Sequence, residues 1–239
     1  MGTYSISCYW KNREEGVAAC ADRAARYLKR LGACDPAFAK VFVSSRAQNS
    51  PRMVSPYSEV LEPLFEDKTA DKWGYRISFV SEHKNKDEQW AIHVRCGASP
   101  KGTRDGGWAN FCMSLLPIKG SSLETLLQPP TLSCLLRAMV EIWEPDWAVV
   151  HDDAALDDVY QRAGISGYAQ KAIFLGWMTY FAKHIGTVPE DLAVHSRADL
   201  GPGTLLVLTE QPMSGERPDH VATTKQVFRS LKRAGLIPT

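Results

Sequence analysis

Three stretches in the middle of the chain alternate large apolar residues with polar or smaller ones: Tyr75, Ile77 and Phe79; Trp90, Ile92 and Val94; Phe111, Met113 and Leu115. A period of two gathers such residues on one face of a strand and scatters them around a helix. Three such runs in succession predict an antiparallel meander. The link from Glu82 to Glu88 is short and charged, as a hairpin connection requires, and Ala98 to Gly107 is a longer Gly/Pro/Lys loop. Tyr4, Ile6, Cys8 and Trp10, separated by Ser5, Ser7 and Tyr9, predict a further half-buried strand at the N-terminus.

The period then changes. Val17, Ala21, Ala24, Leu28 and Leu31 mark one face of a helix that opens after Glu14 and Glu15 and is expected to stop at Gly32. Arg23, Arg26, Lys29 and Arg30 solvate its other face. Val43 to Pro56, rich in Ser, Asn, Arg and Pro, reads as a loop before a short helix near Ser58 to Phe65. Pro129 and Pro130 introduce a helix with Leu132, Leu135, Leu136, Met139 and Trp143 on one face, ended before Pro145. A short strand over Trp147 to Val150 and a helix over Asp152 to Arg162 follow. Periodicity leaves Phe174 to Phe181 open between strand and helix. Thr204 to Leu208 is apolar enough for a central strand, and Pro218 opens a last helix with Val221, Val227, Phe228 and Leu231 inward and Gly235 after it.

These elements predict an α+β fold: a single domain over residues 1–239, with an antiparallel or mixed sheet packed by N-terminal, middle and C-terminal helices. The 239 residues, 44% of them hydrophobic, are enough for one such core. No basic segment followed by an apolar one opens the chain, and no apolar run approaches the roughly 18 to 20 residues of a membrane span, so a soluble cytoplasmic protein is expected. Six cysteines at least twelve positions apart, with no C-x-x-C pair, are expected to be buried free thiols.

The dinucleotide, phosphate-loop, zinc-protease and nucleophile-elbow motifs are absent from the sequence. His151, Asp152 and Asp153 are adjacent rather than convergent, which favours a solvated helix start over a metal site. Cys96 follows Arg95, but alternation puts the two on opposite strand faces, away from the arrangement an activated thiolate needs. Basic residues of the first and last helices are interleaved with acids, unlike a nucleic-acid surface. No catalytic residue, metal or cofactor is expected, and neither is direct binding to nucleic acid or membrane.

Charge is where the chain departs from the ordinary. Lys and Arg number 28 against 27 Asp and Glu, yet Ala138 to Gln161 holds seven acids and no Lys or Arg. A concentrated field of one sign steers a partner of the other. Glu144, Asp152, Asp153, Asp157 and Asp158 are therefore the candidate partner-binding residues, with Glu141 and Asp146 held by the fold. Trp143 and Trp147 flank Pro145; the first is expected in the core and the second, at the start of a strand, partly exposed.

Cys20 to Arg23 with Tyr27 and Leu28, Asp35 to Phe38, Arg95 to Gly97, Leu136 to Val150, Gly176 to Tyr180, Gly203 to Pro212 and Asp219 to Val221, in that order, resemble the immunity protein 52 family of bacterial competition systems. The pieces are short, and it is their ordered set, with Trp143-Glu144-Pro145-Asp146-Trp147 at its centre, that is specific. The resemblance implies a cytoplasmic protein that binds and neutralises a cognate toxin, often one with a restriction-endonuclease-like domain delivered by a secretion system such as type VI and encoded beside it. Glu82 to Glu88 and Ser44 to Pro56 look like variable inserts where specificity could lie. A small enzyme without a recognised motif, or a regulatory or nucleic-acid-binding module, are the alternatives.

Overall fold

The N-terminal alternation forms β1 (Thr3–Trp10), and this strand takes a middle place in the sheet. The structure, a computed structural model, describes residues 3–11, 13–44, 51–65, 74–82, 88–98, 110–117, 126–165 and 173–237. Among them are β2 (Val41–Val43), β3 (Arg52–Val54), β4 (Tyr75–Val80), β5 (Ala91–Cys96), β6 (Asn110–Pro117), β7 (Trp147–Asp152), β8 (Met178–Ala182), β9 (Ser196–Leu200) and β10 (Gly203–Val207). They form one ten-stranded sheet in the order β3-β2-β4-β5-β6-β1-β7-β8-β10-β9. Every strand pairing among the described residues is antiparallel, which resolves the expected "antiparallel or mixed". The fold is α+β, as the sequence predicts.

The meander β4-β5-β6 is present, but β6 turns its apolar set the other way. Cys112, Ser114 and Leu116 are buried while Phe111, Met113 and Leu115 are only half-buried. Pairing with β1 fixes this, because Cys8 lies opposite Cys112 and Ile6 opposite Ser114, and a strand's faces follow its register. Small residues suit the buried side, since Tyr27 and Trp143 press onto it from the helices; the Tyr27 hydroxyl lies 3.1 Å from Ser114 Oγ. β1 itself is buried on both faces: Ser5 and Ser7 are shielded by Leu115 and Met113 on one side and His151 and Val149 on the other.

Two long helices cover that buried face. α1 (Val17–Cys34) buries Cys20, Ala21, Ala24, Ala25, Tyr27, Leu28 and Leu31. It runs past Gly32, where it was expected to end, because the stop is Asp35 before Pro36: proline disfavours a helical residue ahead of it, and the Asp35 carboxylate accepts the Ala37 N–H at 2.8 Å. A short helix α2 (Ser58–Leu61) packs beside α1. α3 (Pro129–Trp143) buries Leu132, Leu135, Leu136, Met139 and Trp143 and ends at Glu144, in the left-handed region at φ 47°. Trp143 is fully buried, stacked on Trp10 at 5.4 Å and edged by Tyr27 at 6.1 Å.

Other expectations need correcting. Trp147 is buried rather than partly exposed, because Tyr9 stacks on it at 4.8 Å and Phe174 meets its face edge-on at 4.9 Å. Phe174 to Phe181 divides into an irregular segment and β8. β9, which the sequence did not announce, puts β10 one strand in from the edge, and β3 occupies part of the expected 43–56 loop. α4 (Asp153–Ala163) follows β7 directly, and α5 (Pro218–Arg233) packs against it through Tyr160 and Phe228, centroids 6.0 Å apart. On α5 the buried residues are His220, Thr224, Val227 and Leu231, with Val221 and Phe228 half-buried. Positions 45–50 of the Ser44 to Pro56 loop, 83–87 of the hairpin link and 99–107 of the Ala98 to Gly107 loop lie outside the described residues.

The expectation of six free thiols is also corrected. Cys34, closing α1, is disulfide-bonded to Cys134 in α3, with the Cα atoms 5.7 Å apart. The helices lie side by side, so residues 100 positions apart become neighbours. Cys8, Cys20, Cys96 and Cys112 remain free and buried. Thiol titration of the non-reduced, denatured protein should count four groups. A Cys34→Ala/Cys134→Ala variant should unfold with about 2 to 5 kcal/mol less stability than the oxidised protein, since the bond closes a long loop in the unfolded chain. Trp143→Ala should cost about 3 to 5 kcal/mol in chemical denaturation, and an unchanged midpoint would refute its place at the centre of the core.

Candidate functional site

The acids singled out by the sequence do not share one surface. Glu144 precedes β7 and Asp152 ends it, so the length of that strand, about 17 Å at 3.3 Å per step, separates the two.

At the Glu144 end, arginines brought from the N-terminal segment meet the acid. Arg23 Nη2 lies 3.1 Å and Arg13 Nη1 3.4 Å from the Glu144 carboxylate, and Glu15 joins both guanidiniums at 2.8 and 3.3 Å. Arg23 also donates to the Ile142 carbonyl at 2.6 Å and Arg13 to the Trp143 carbonyl at 2.7 Å. The network therefore satisfies the open carbonyls at the end of α3 and complements the negative end of its dipole. Glu141 pairs with Arg30 at 3.4 Å. Asp146 is buried, accepting the Lys11 backbone N–H at 2.9 Å and lying 2.5 Å from His184 Nε2, while its own N–H bonds Tyr9 O. The fold holds Asp146, whereas Glu141 is exposed and its ion pair with Arg30 lies at the surface.

At the other end, Asp152 caps α4 by accepting the Ala155 N–H at 2.9 Å. Burial, then the nearby Asp152 charge, pushes the Tyr4 phenol up to about 12. Asp153 is exposed and lies 2.8 Å from His151 Nε2. Asp158 pairs with Arg162 one turn on at 2.7 Å, and the chain at Gly215 packs against it. Asp157 is exposed. Asp153 and Asp157, four residues apart, share one helical face and are the pair that α4 turns outward. The cleft at this corner, lined by Tyr4, His151, Asp152, Ala155, Leu156, Trp177 and Met213, has a volume of about 10 Å³, no more than water-sized.

Burial raises the Cys96 thiol well above its ordinary range, and the neighbouring Cys20 adds to this, so it is poorly placed as a nucleophile. Among the described residues, no group of three or more His, Cys, Asp or Glu is placed to hold a metal ion.

The sequence reading missed the face of the sheet opposite α1 and α3. Across β4, β5, β6, β1 and β7 the register aligns Arg76, Arg95, Phe111, Tyr9 and Trp147 in one row. Arg95 lies over the Phe111 ring at 5.1 Å, and Tyr9 is 6.5 Å from Phe111 and 4.8 Å from Trp147, so cation and rings form a ladder. In the next row, Ser78 Oγ bonds His93 Nδ1 at 2.9 Å. A depression of about 430 Å³ opens over Arg76, Ser78, His93, Arg95 and Phe111, walled by Ser44 and Leu64. Alternation had already placed Arg95 opposite Cys96; what it could not supply was which face the helices take.

A wide antiparallel sheet with two long helices on one face places the chain among α+β proteins built on a single broad sheet. Over residues 2–239 it matches the family described as immunity protein 52, and the chain belongs to that family. The solved structure of a Pseudomonas aeruginosa T6SS protein, PA0821, has a similar fold, with a TM-score of 0.60 at 12% identity over 98% of this chain and 73% of that one. No curated protein matches the chain.

Proposed function

We propose that this protein binds and neutralises a cognate bacterial toxin encoded beside it, acting as an inhibitor and not as an enzyme. Family membership across residues 2–239 carries the reading. Likeness of fold to a type VI secretion protein supports a setting in secretion-system competition. The toxin class we propose is a nuclease with a restriction-endonuclease-like domain: such an enzyme presents a positive cleft to DNA, and carboxylates can occupy it in place of phosphates.

Of the acids nominated by sequence, we assign the leading electrostatic role to Asp153 and Asp157, which α4 turns outward. Asp158 contributes beside Arg162, and Glu144 and Asp152 also serve the fold. A double Asp153→Lys/Asp157→Lys variant should associate more slowly with the toxin and lose the salt dependence of association, with its thermal midpoint nearly unchanged. Asp152→Ala, by contrast, should lower stability by about 0.5 to 2 kcal/mol through loss of the helix cap. Stopped-flow association across a salt series, paired with thermal melts, separates the two effects. An unaltered rate and salt slope in the double reversal would remove α4 from the interface.

A cytoplasmic location is where a nuclease would be intercepted, and no helix of the described residues is long and apolar enough to cross a membrane. Cys34–Cys134, however, is a bond that reducing compartments normally keep open. Quenching intact cells in acid and alkylating the denatured protein decides the matter: with four cysteines buried in the fold, six modified cysteines are expected from the cytoplasm, and four would place the protein in an oxidising compartment.

A further inference from the structure

We propose that the free edge of β9 is a self-association surface, through which two copies of this chain pair β9 to β9 and join their sheets into one. Backbone geometry sets the edge. In β10 and its flanks the Pro202 carbonyl accepts the Lys183 N–H at 2.8 Å and the Leu208 N–H donates to the Trp177 carbonyl at 2.9 Å, so alternate residues, Thr204 and Leu206 among them, aim their backbone groups at β8. Gly203, Leu205 and Val207 aim theirs at β9, where Leu200, Ala198 and Ser196 lie opposite. The backbone groups of Arg197 and Asp199 therefore point the other way, out of the sheet, because β9 is its last strand. The chain is described without a gap from 173 to 237, and there Ser196, Arg197 and Asp199 are exposed and Ala198 half-buried, as an uncovered edge requires.

The side chains choose the occupant. In an antiparallel pair centred on Ala198, Arg197 of each copy stands opposite Asp199 of the other, and Ala198 meets its own counterpart. Those same two residues carry the outward backbone groups, so one register makes the backbone hydrogen bonds and two reciprocal cross-strand ion pairs together. Moving the centre to Arg197 or to Asp199 would set that residue against its own copy, so charge selects the register. Arg197 Nη1 and Nη2 donate to the Pro189 and Val188 carbonyls at 2.6 and 3.2 Å, neutral acceptors that fix the side chain without matching its charge. Among the described residues no ion pair forms at Arg197 or Asp199. Both copies use the same patch, as a closed two-fold dimer does. Strands of five residues bury less than the roughly 1,200 Å² at the lower end of durable interfaces, so the pair is expected to be reversible and to assemble at about micromolar concentrations or above. Self-pairing at β9 does not depend on toxin binding.

Sedimentation velocity of the full-length protein over a concentration series should show monomer giving way to dimer. Each substitution counts twice across a two-fold axis, so Asp199→Lys should weaken the dimer roughly tenfold or more, and Arg197→Glu should do the same. Equimolar mixing of the two variants should restore a dimer, since each then meets its opposite, a result that misfolding cannot imitate. Hydrogen exchange at the Arg197 and Asp199 amides of the unsubstituted protein should slow as its concentration rises, a readout that holds even if Arg197→Glu releases Pro189 and folds poorly. A monomer at millimolar concentration, or a dimer that Asp199→Lys leaves intact with those amides unprotected, would overturn self-pairing at β9. Protection of the same amides only when toxin is added would also overturn it and give the edge to a strand of the toxin.

Discussion

Eight residues of β1 pair with β6, and on its other side six pair with β7, so the first strand of the chain joins the two halves of the sheet. Everything on the helical face is set by that double pairing. Opposing Cys8 to Cys112 and Ile6 to Ser114 leaves a shallow floor of small side chains. Tyr27 and Trp143 can then descend onto it, and Trp10 at the strand's end meets Trp143 ring to ring. Shifting β1 by one residue would exchange every inward residue for an outward one, bringing Tyr9 and the serines under the helices. The disulfide between α1 and α3 holds those two helices together over the same floor.

How far the sequence spoke for itself varies by element. Strands β1, β4, β5 and β6 and helices α1 and α3 were legible because each repeats its period over enough residues to exclude the alternative. The face of β6 was not, since Phe111, Met113 and Leu115 look like a core set and only their neighbours show otherwise. α1 outlasted its glycine because Gly32 lies where the chain folds back near Ala39, and the real terminator was the Asp35-Pro36 pair. β9 has an exposed, charged sequence suited to a sheet edge, Ser196, Arg197 and Asp199, which no apolar pattern could mark.

The charge pattern teaches a related lesson. A run of seven acids without a base is a fact about sequence neighbours, whereas the field at a surface depends on spatial ones. Arg13, Arg23 and Arg30 stand more than a hundred positions away from Glu144 and Glu141 and meet them across α1 and α3. Of the seven acids, Asp153 and Asp157 share one outward face of α4, Glu141 and Glu144 meet arginines at the surface, and Arg76 and Arg95 of β4 and β5 stand directly opposite each other.

The place of β1 also sets a timetable for the ribosome. β1 has its partners at positions 110–117 and 147–152, so it must wait for distant segments to be made before it can be enclosed. At about 5 to 20 residues per second, that leaves an alternating apolar strand unpaired for several seconds or longer. Non-local closure of this kind is slow by nature, because the entropy of bringing distant segments together is spent before contacts reward it. β1 is accordingly open to aggregation in the interval before β6 and β7 emerge to flank it.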